Sequence, residues 1–244
     1  MKRAILIAVI LAMVLAAGGA HAAWDLYLDG SALPVIDDNP WSEWNDSGNV
    51  VTTGTESGTT YMRFVAGADT DNEYYSSAVQ INPVVAAGRF RLASYSTTGQ
   101  KDLLCVIPEV DGHNPASASI TLDDNRFKLW NFAGGGAVAD IAAADSNWHT
   151  AYILVDNTNV KVLWDGVEVY NGLSPTVTSS GAGLEGADLE FGSGSWQMSA
   201  AATVDFDWVG FGDATNMPVP EPSSLLALGT MGLGAFGLMR RRRA

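Results

Sequence analysis

Residues Trp148 to Tyr170 read W-H-T-A-Y-I-L-V-D-N-T-N-V-K-V-L-W-D-G-V-E-V-Y. β-Branched and aromatic residues dominate, and the polar ones fall in two short groups. Asp156-Asn157-Thr158-Asn159 makes the first turn. Val160, Val162 and Trp164 then alternate with Lys161 and Leu163, the period of two that gives a strand one buried face. Asp165-Gly166 is a hairpin turn, because both residues tolerate positive φ. Val167 and Val169 alternate with Glu168 and Tyr170 beyond it. Three meandering strands follow without a break, which sets the fold class as all-β.

The same pattern extends outward in both directions. Strands are expected over Thr60–Val65, Arg89–Tyr95, Leu103–Pro108, Ser117–Leu122 and Arg126–Phe132. Further strands are expected over Leu189–Phe191 and Thr203–Val209. Gly, Asn, Asp and Ser separate them, and no helical period is convincing between the chain's two ends. The expected architecture is an antiparallel two-sheet β-sandwich, a jelly roll, over residues 23–216. That length suits one all-β domain with a real core.

The Trp148–Tyr170 unit resembles the laminin-G-like and concanavalin A-like jelly rolls. A Trp-His strand, a strand ending before Asp-Gly and a Val-x-Val strand recur there in that order. L-E-F-G-S-G (Leu189–Gly194) resembles the family's later Gly-containing strand. V-D-F-D-W-V-G-F-G (Val204–Gly212) resembles its last one. The likeness covers roughly Phe90 to Gly212, whereas Trp24 to Ser57 is turn-rich and fits less well. It implies a face suited to sugars, by analogy of fold alone.

The two ends read as addresses. Lys2 and Arg3 precede an uncharged apolar run, Ala4 to Ala17, and Ala20-His21-Ala22 has the small-x-small form of a signal peptidase site. Residues 1–22 are therefore expected to be a cleaved signal peptide, with cleavage set by Ala20 and Ala22. Residues 217–244 carry Pro220-Glu221-Pro222, an apolar stretch over 223–239, and Arg240, Arg241, Arg242 and Arg243. The stretch sits at the lower limit of about 17 residues for a transmembrane helix. Its glycines are common in lipid, and no Gly-xxx-Gly pair is present. The arginines form a stop cluster that belongs on the cytoplasmic side. Pro-Glu-Pro, short helix and arginine cluster together resemble the PEP-CTERM sorting signal of Gram-negative bacteria. The resemblance implies an exosortase-type processing protease as partner, a transient anchor, and a destination at the cell surface or in an exopolysaccharide or biofilm matrix. A sortase signal is the rival, but Leu-Pro-x-Thr-Gly is absent.

Both addresses mask the domain's charge. The chain has 13 Lys+Arg and 27 Asp+Glu, and six of the basic residues lie in the end segments. Seven then face 27 acids, a net charge of −20 with Glu221 counted with the domain. That charge opposes nucleic acid and anionic lipid as direct partners. Cys105 is the only cysteine, so no internal disulfide forms, and its apolar setting suits a buried small hydrophobe.

Candidate chemistry is sparse. Asp69, Asp71 and Glu73 place oxygen ligands at alternating positions, a possible Ca²⁺ loop lacking the glycine and distal Glu of an EF-hand. Two separated histidines, His113 and His149, and one Cys do not suggest zinc. Trp41, Trp44 and Trp196 lie among turn residues and are candidates for stacking on sugar rings, whereas Trp164 and Trp208 read as core. Glycosidases need two carboxylates flanking the scissile bond. Glu185, Asp188 and Glu190 lack the spacing of a laminarinase-type strand, because residues three apart point to opposite faces. Asp205 and Asp207 share a face and read as solvated. No G-x-S-x-G elbow or phosphate-cradling glycine loop occurs. The expected function is non-catalytic association with carbohydrate or exopolysaccharide at the cell surface. The alternatives are a glycan hydrolase or lyase on the same fold, and a purely structural matrix protein.

Overall fold

A computed structural model describes residues 24–34, 41–45, 51–68, 70–76, 83–107, 118–131, 136–156, 159–173, 188–194 and 200–214. The expected signal peptide over residues 1–22, with its N-terminal signal helix, and the whole 217–244 segment, with the expected transmembrane helix, lie outside them. So do Asp69, Trp196, His113, Glu185 and the Trp44 side chain.

Fifteen strands are described. They are β1 (Leu26–Asp29), β2 (Trp41–Asn45), β3 (Val51–Glu56), β4 (Thr59–Ala66), β5 (Asn72–Ser76), β6 (Val84–Tyr95), β7 (Gln100–Ile107) and β8 (Ala118–Asp123). The rest are β9 (Arg126–Asn131), β10 (Gly136–Ala143), β11 (His149–Asp156), β12 (Asn159–Trp164), β13 (Val167–Leu173), β14 (Asp188–Gly194) and β15 (Ala202–Asp213). Sheet A runs β13-β12-β11-β6-β15-β4-β3, with β1 also paired to β15. Sheet B runs β10-β9-β8-β7-β14-β5-β2. Every pairing is antiparallel. The result is the two-layer all-β sandwich that the sequence pattern implies.

The Trp148–Tyr170 meander is β11-β12-β13 at one side of sheet A. Its Asp165-Gly166 turn has φ of 50° and 78°, as a two-residue hairpin requires. Asp165 does more than turn the chain. Its Oδ1 accepts the Thr150 N–H at 2.8 Å, and its Oδ2 meets His149 Nδ1 at 2.7 Å. His149 Nε2 meets Asp145 at 3.0 Å, and the imidazole stacks on Trp164 at 4.7 Å. The histidine of the Trp-His strand thus fastens a turn.

Between the sheets lies an aromatic core. Phe64 and Phe206 from sheet A meet Phe191 of sheet B at 5.5 and 5.4 Å, both edge-on. Phe90 meets Phe127 at 6.1 Å, and Phe127 meets Trp164 at 4.7 Å. Such pairs add about 0.5–1.5 kcal/mol each beyond area burial. Trp41 belongs here: it is 2% exposed and packs on Phe191 and Phe211, so it is not available to stack on a sugar. Trp208 departs from expectation the other way. Its neighbour Val209 takes the core position, which turns Trp208 to the outer face beside Trp24, Tyr27 and Tyr152.

The outer face of sheet A also holds Asp205, with no exposed surface. Arg63 on β4 grips it with Nε and Nη2 at 2.6 and 2.8 Å, and Arg91 on β6 donates Nε at 2.9 Å. Asp207 pairs with Arg89. The expected solvated pair is therefore a set of ion pairs, of which Asp205 is wholly buried. Asp205 holds the Arg63 guanidinium above its ordinary pKa, mainly through that two-pronged hydrogen bond. Tyr61 and Trp148 lie between the arginines, with Arg91 5.5 and 4.8 Å from their ring centres.

Strands β1, β2, β3, β5 and β10 were not expected. β2, β3 and β10 are edge strands. β3 and β10 bury little along their length, so V-T-T-G-T-E and G-A-V-A-D-I-A-A show no clean hydrophobic alternation, while β2 gives Trp41 to the core.

Asp205→Ala should cost about 3 kcal/mol, the low end for breaking a buried pair, since both guanidiniums can turn to water. Glu168→Ala, which removes the exposed partner of Lys161, should leave the urea midpoint unchanged. Equal midpoints for the two variants on residues 23–216 would contradict the assignment.

Candidate functional site

Strand alternation places a polar field on the outer face of sheet B. In β7, β8 and β14 the residues Leu104, Val106, Ile120, Leu122, Leu189 and Phe191 enter the core. Their neighbours Cys105, Ser119, Thr121 and Glu190 consequently face outward. Register joins these into a row across all seven strands: Ala137, Trp130, Ser119, Cys105, Glu190, Tyr75 and Ser42. A second row starts with Asp140, Lys128, Thr121, Asp102 and Gly194. A register shift in β14 after Phe191 then brings Glu73, opposite Gly192, alongside it.

Gly194 makes the second row possible. A Cβ there would collide with the Glu73 carboxylate, so the carboxylate lies flat over the glycine, beside Asp102 in the next strand. Asp102 is 5% exposed, and its Oδ1 accepts Thr121 Oγ1 at 2.6 Å and Ser119 Oγ at 3.2 Å. Burial pushes Asp102 up to about 6; the two hydroxyl bonds and Lys101 pull it down, and Asp71 adds to the rise. Glu73 is pushed well above the usual carboxylate range by burial, then by the charges of Glu190, Asp71 and Asp102. These carboxylates therefore act as one electrostatic group, with proton affinities spread apart.

The loop before β5 faces a cation of the protein's own. Lys101 is fully buried; its Nζ donates to the Thr70 carbonyl at 2.5 Å and lies 3.8 Å from Asp71 Oδ1. Of the possible Ca²⁺ ligands, then, Asp71 meets an ammonium and Glu73 lies over Gly194. Among the described residues no three His, Cys, Asp or Glu side chains form a metal-binding group.

Asp102, Lys101, Ser119 and Thr121 did not stand out in the sequence as site residues. A signal was there: S-I-T-L alternates hydroxyl with aliphatic, and Gln100-Lys101-Asp102 puts three polar residues in a strand directly before the buried run Leu103 to Val106. What the sequence does not display is which strands lie side by side. β14 enters between β5 and β7, about 80 residues or more after either. Cys105 is buried, as expected. Chemically, Asp102, Ser119 and Thr121 are buried and bonded to one another, so the face offers a sugar the carboxylates of Glu73 and Glu190 and, at one side, the half-buried Trp130 for a ring to stack on.

Residues 218–243 match the PEP-CTERM protein-sorting motif, which spans Pro220-Glu221-Pro222 and Arg240 to Arg243. That motif marks an exported protein sorted to the cell surface and implies exosortase-type processing. No curated protein matches the chain in sequence. Among solved structures, it is similar to the cellulose induced protein Cip1, at 12% identity and TM-score 0.56, over 78% of this chain and 98% of that one. It is also similar to a carbohydrate esterase from the Shiga toxin-encoding bacteriophage phi24B, at 15% identity and TM-score 0.52, over 76% and 95%. A structure described with endo-acting O-glycanases of the human gut microbiota aligns at 12% identity and TM-score 0.50, over 78% and 99%. At these identities the likeness is one of fold: the jelly roll of carbohydrate-active domains.

Asp102 gives the site a pH signature. Its folded pKa of about 6 exceeds the ordinary value, so the folded state binds the proton more tightly. That stabilisation is present below about pH 4 and is lost as pH rises through about 6, amounting to about 3 kcal/mol. Asp102→Asn keeps an acceptor for Thr121 but no titration. The difference in unfolding free energy between wild type and variant should change by about this much from pH 4 to 7; a constant difference would refute the shift.

Proposed function

We propose that the protein is a cell-surface or matrix component whose sandwich associates with polysaccharide through the outer face of sheet B, without catalysis. The observation that carries this reading is the pair of partly exposed carboxylates Glu73 and Glu190 on the same face as the half-buried Trp130, with the buried Asp102–Ser119–Thr121 network beside them. Carboxylate acceptors on one face with an aromatic ring are the complement of a sugar's hydroxyls and its apolar face. The names of structural neighbours, which speak of induction by cellulose, mucin breakdown and a carbohydrate esterase, support the ligand class. The domain's charge of −20 favours a neutral glycan over a polyanion. Before processing, the 223–239 segment would hold the protein in the membrane. Calcium at Asp69, Asp71 and Glu73 is a weaker proposal, because the Lys101 ammonium already lies near Asp71.

A second reading, glycan hydrolysis, is favoured by one specific feature. Glu73 and Glu190 are diagonal neighbours on adjacent strands, a relation that sets backbone positions about 7–8 Å apart. Inverting glycosidases hold two carboxyls about 6.5–9.5 Å apart, a separation that side chains on such neighbouring backbone positions can span. Glu73, its proton retained by burial and by Glu190, would be the acid, and Glu190 the base.

On a glycan array with residues 23–216, neutral polysaccharides should bind, and Trp130→Ala should weaken them about tenfold, near 1.4 kcal/mol. Binding unaffected by Trp130→Ala would move the site elsewhere. Release of reducing ends that Glu73→Gln abolishes would replace the non-catalytic reading with the hydrolase. Separately, changing Pro220, Glu221 and Pro222 to Ala should leave the full chain uncut by intact-mass measurement in a sorting-competent bacterium. Processing at the wild-type rate would sink the sorting role.

A further inference from the structure

The last strand leaves the sandwich at a fixed place. β15 lies between β6 and β4 in the middle of sheet A, and its final residue, Asp213, stands opposite Val84. The Ala214 N–H donates to the Pro83 carbonyl at 3.0 Å, and the Asp213 N–H donates to Asp25 Oδ2 at 2.9 Å. On the other side of β6, Val155 stands opposite Val84, and Asp156 follows it. Asp25, Pro83, Asp156 and Asp213 therefore share one end of sheet A. Thr97 lies at the other end, next to Ser96, whose N–H bonds the Ala201 carbonyl.

Chain length turns this end into an orientation. Five residues separate Ala214 from Pro220, and eight separate it from Ser223, where the apolar segment starts. Fully extended, the stretch from Ala214 to Ser223 reaches about 30 Å. β15, with 12 residues, is itself about 40 Å long. A tether shorter than the domain keeps the exit end nearest the bilayer. The pairings of Asp213 and Ala214 allow no slack unless sheet A opens. Three carboxylates at that end, on a domain of −20, are repelled by an anionic bilayer, which holds the tether extended.

We propose that this exit end, formed by Asp25, Pro83, Asp156 and Asp213, faces the membrane-embedded processing protease, and that tether length sets whether the protease can reach Pro220-Glu221-Pro222. The inference rests on the sorting reading above. The folded sandwich is then a spacer: too short a tether presses the exit end against the protease and blocks access.

The test uses the full chain in a sorting-competent bacterium. Deleting residues 215–218 should raise the uncut fraction at least tenfold, whereas replacing them by Gly-Ser-Gly-Ser should leave cutting at the wild-type level. A photo-crosslinker on Asp156→Cys should capture the processing protease, and one on Thr97→Cys should not; Cys105 is buried and does not compete for label. Wild-type cutting of the deletion variant, or equal capture from both positions, overturns the proposal if the Pro220–Pro222 alanine variant stays uncut. So does a block by the Gly-Ser replacement, which would mean that sequence rather than distance is read. If the alanine variant is itself cut normally, the sorting reading falls first, and this inference with it.

Discussion

The Asp205 carboxylate, buried in the middle of sheet A, is the contact on which the rest of the sandwich depends. It is held by Arg63 from one flanking strand and Arg91 from the other. A carboxylate without water must be paired, and only one register of β4, β15 and β6 brings both guanidiniums to it. A slip of one residue would turn Asp205 into the core and Phe206 out of it. The ion pairs and the aromatic core therefore specify the same alignment from opposite faces of one strand.

Both sheets are completed from the middle by the last strands of the chain. β14 enters sheet B between β7 and β5, and β15 enters sheet A between β6 and β4. The candidate site and the exit end both follow from that order. Glu190 and Gly194 arrive between Asp102 and Glu73 because β14 does, and the tail leaves beside Asp25 because β15 pairs with β1. Contacts of such sequence separation are slow to form, so the face cannot exist before nearly all of the domain is outside.

Much of the fold could be read locally. The Trp148–Tyr170 meander appears as expected because each strand alternates and Asp165-Gly166 permits positive φ at both turn residues. The edge strands β3 and β10 were hidden, since they bury little. Trp41 and Trp208 were exchanged in role, because turn-like neighbours say nothing about what lies above a strand. Asp205 looked solvated, since its two arginines are 114 and 142 residues away.

The sequence by itself determined the all-β class, the acidic character of the domain and the sorting address, because alternation, charge and a contiguous motif are properties of short stretches. Tertiary structure alone decided that Asp102, Glu73 and Glu190 share a face, that Lys101 lies beside Asp71, and that the tail departs beside β1. Each of these is a neighbour relation between strands far apart in the chain. Pairing order sets such relations, and no local run of residues encodes them.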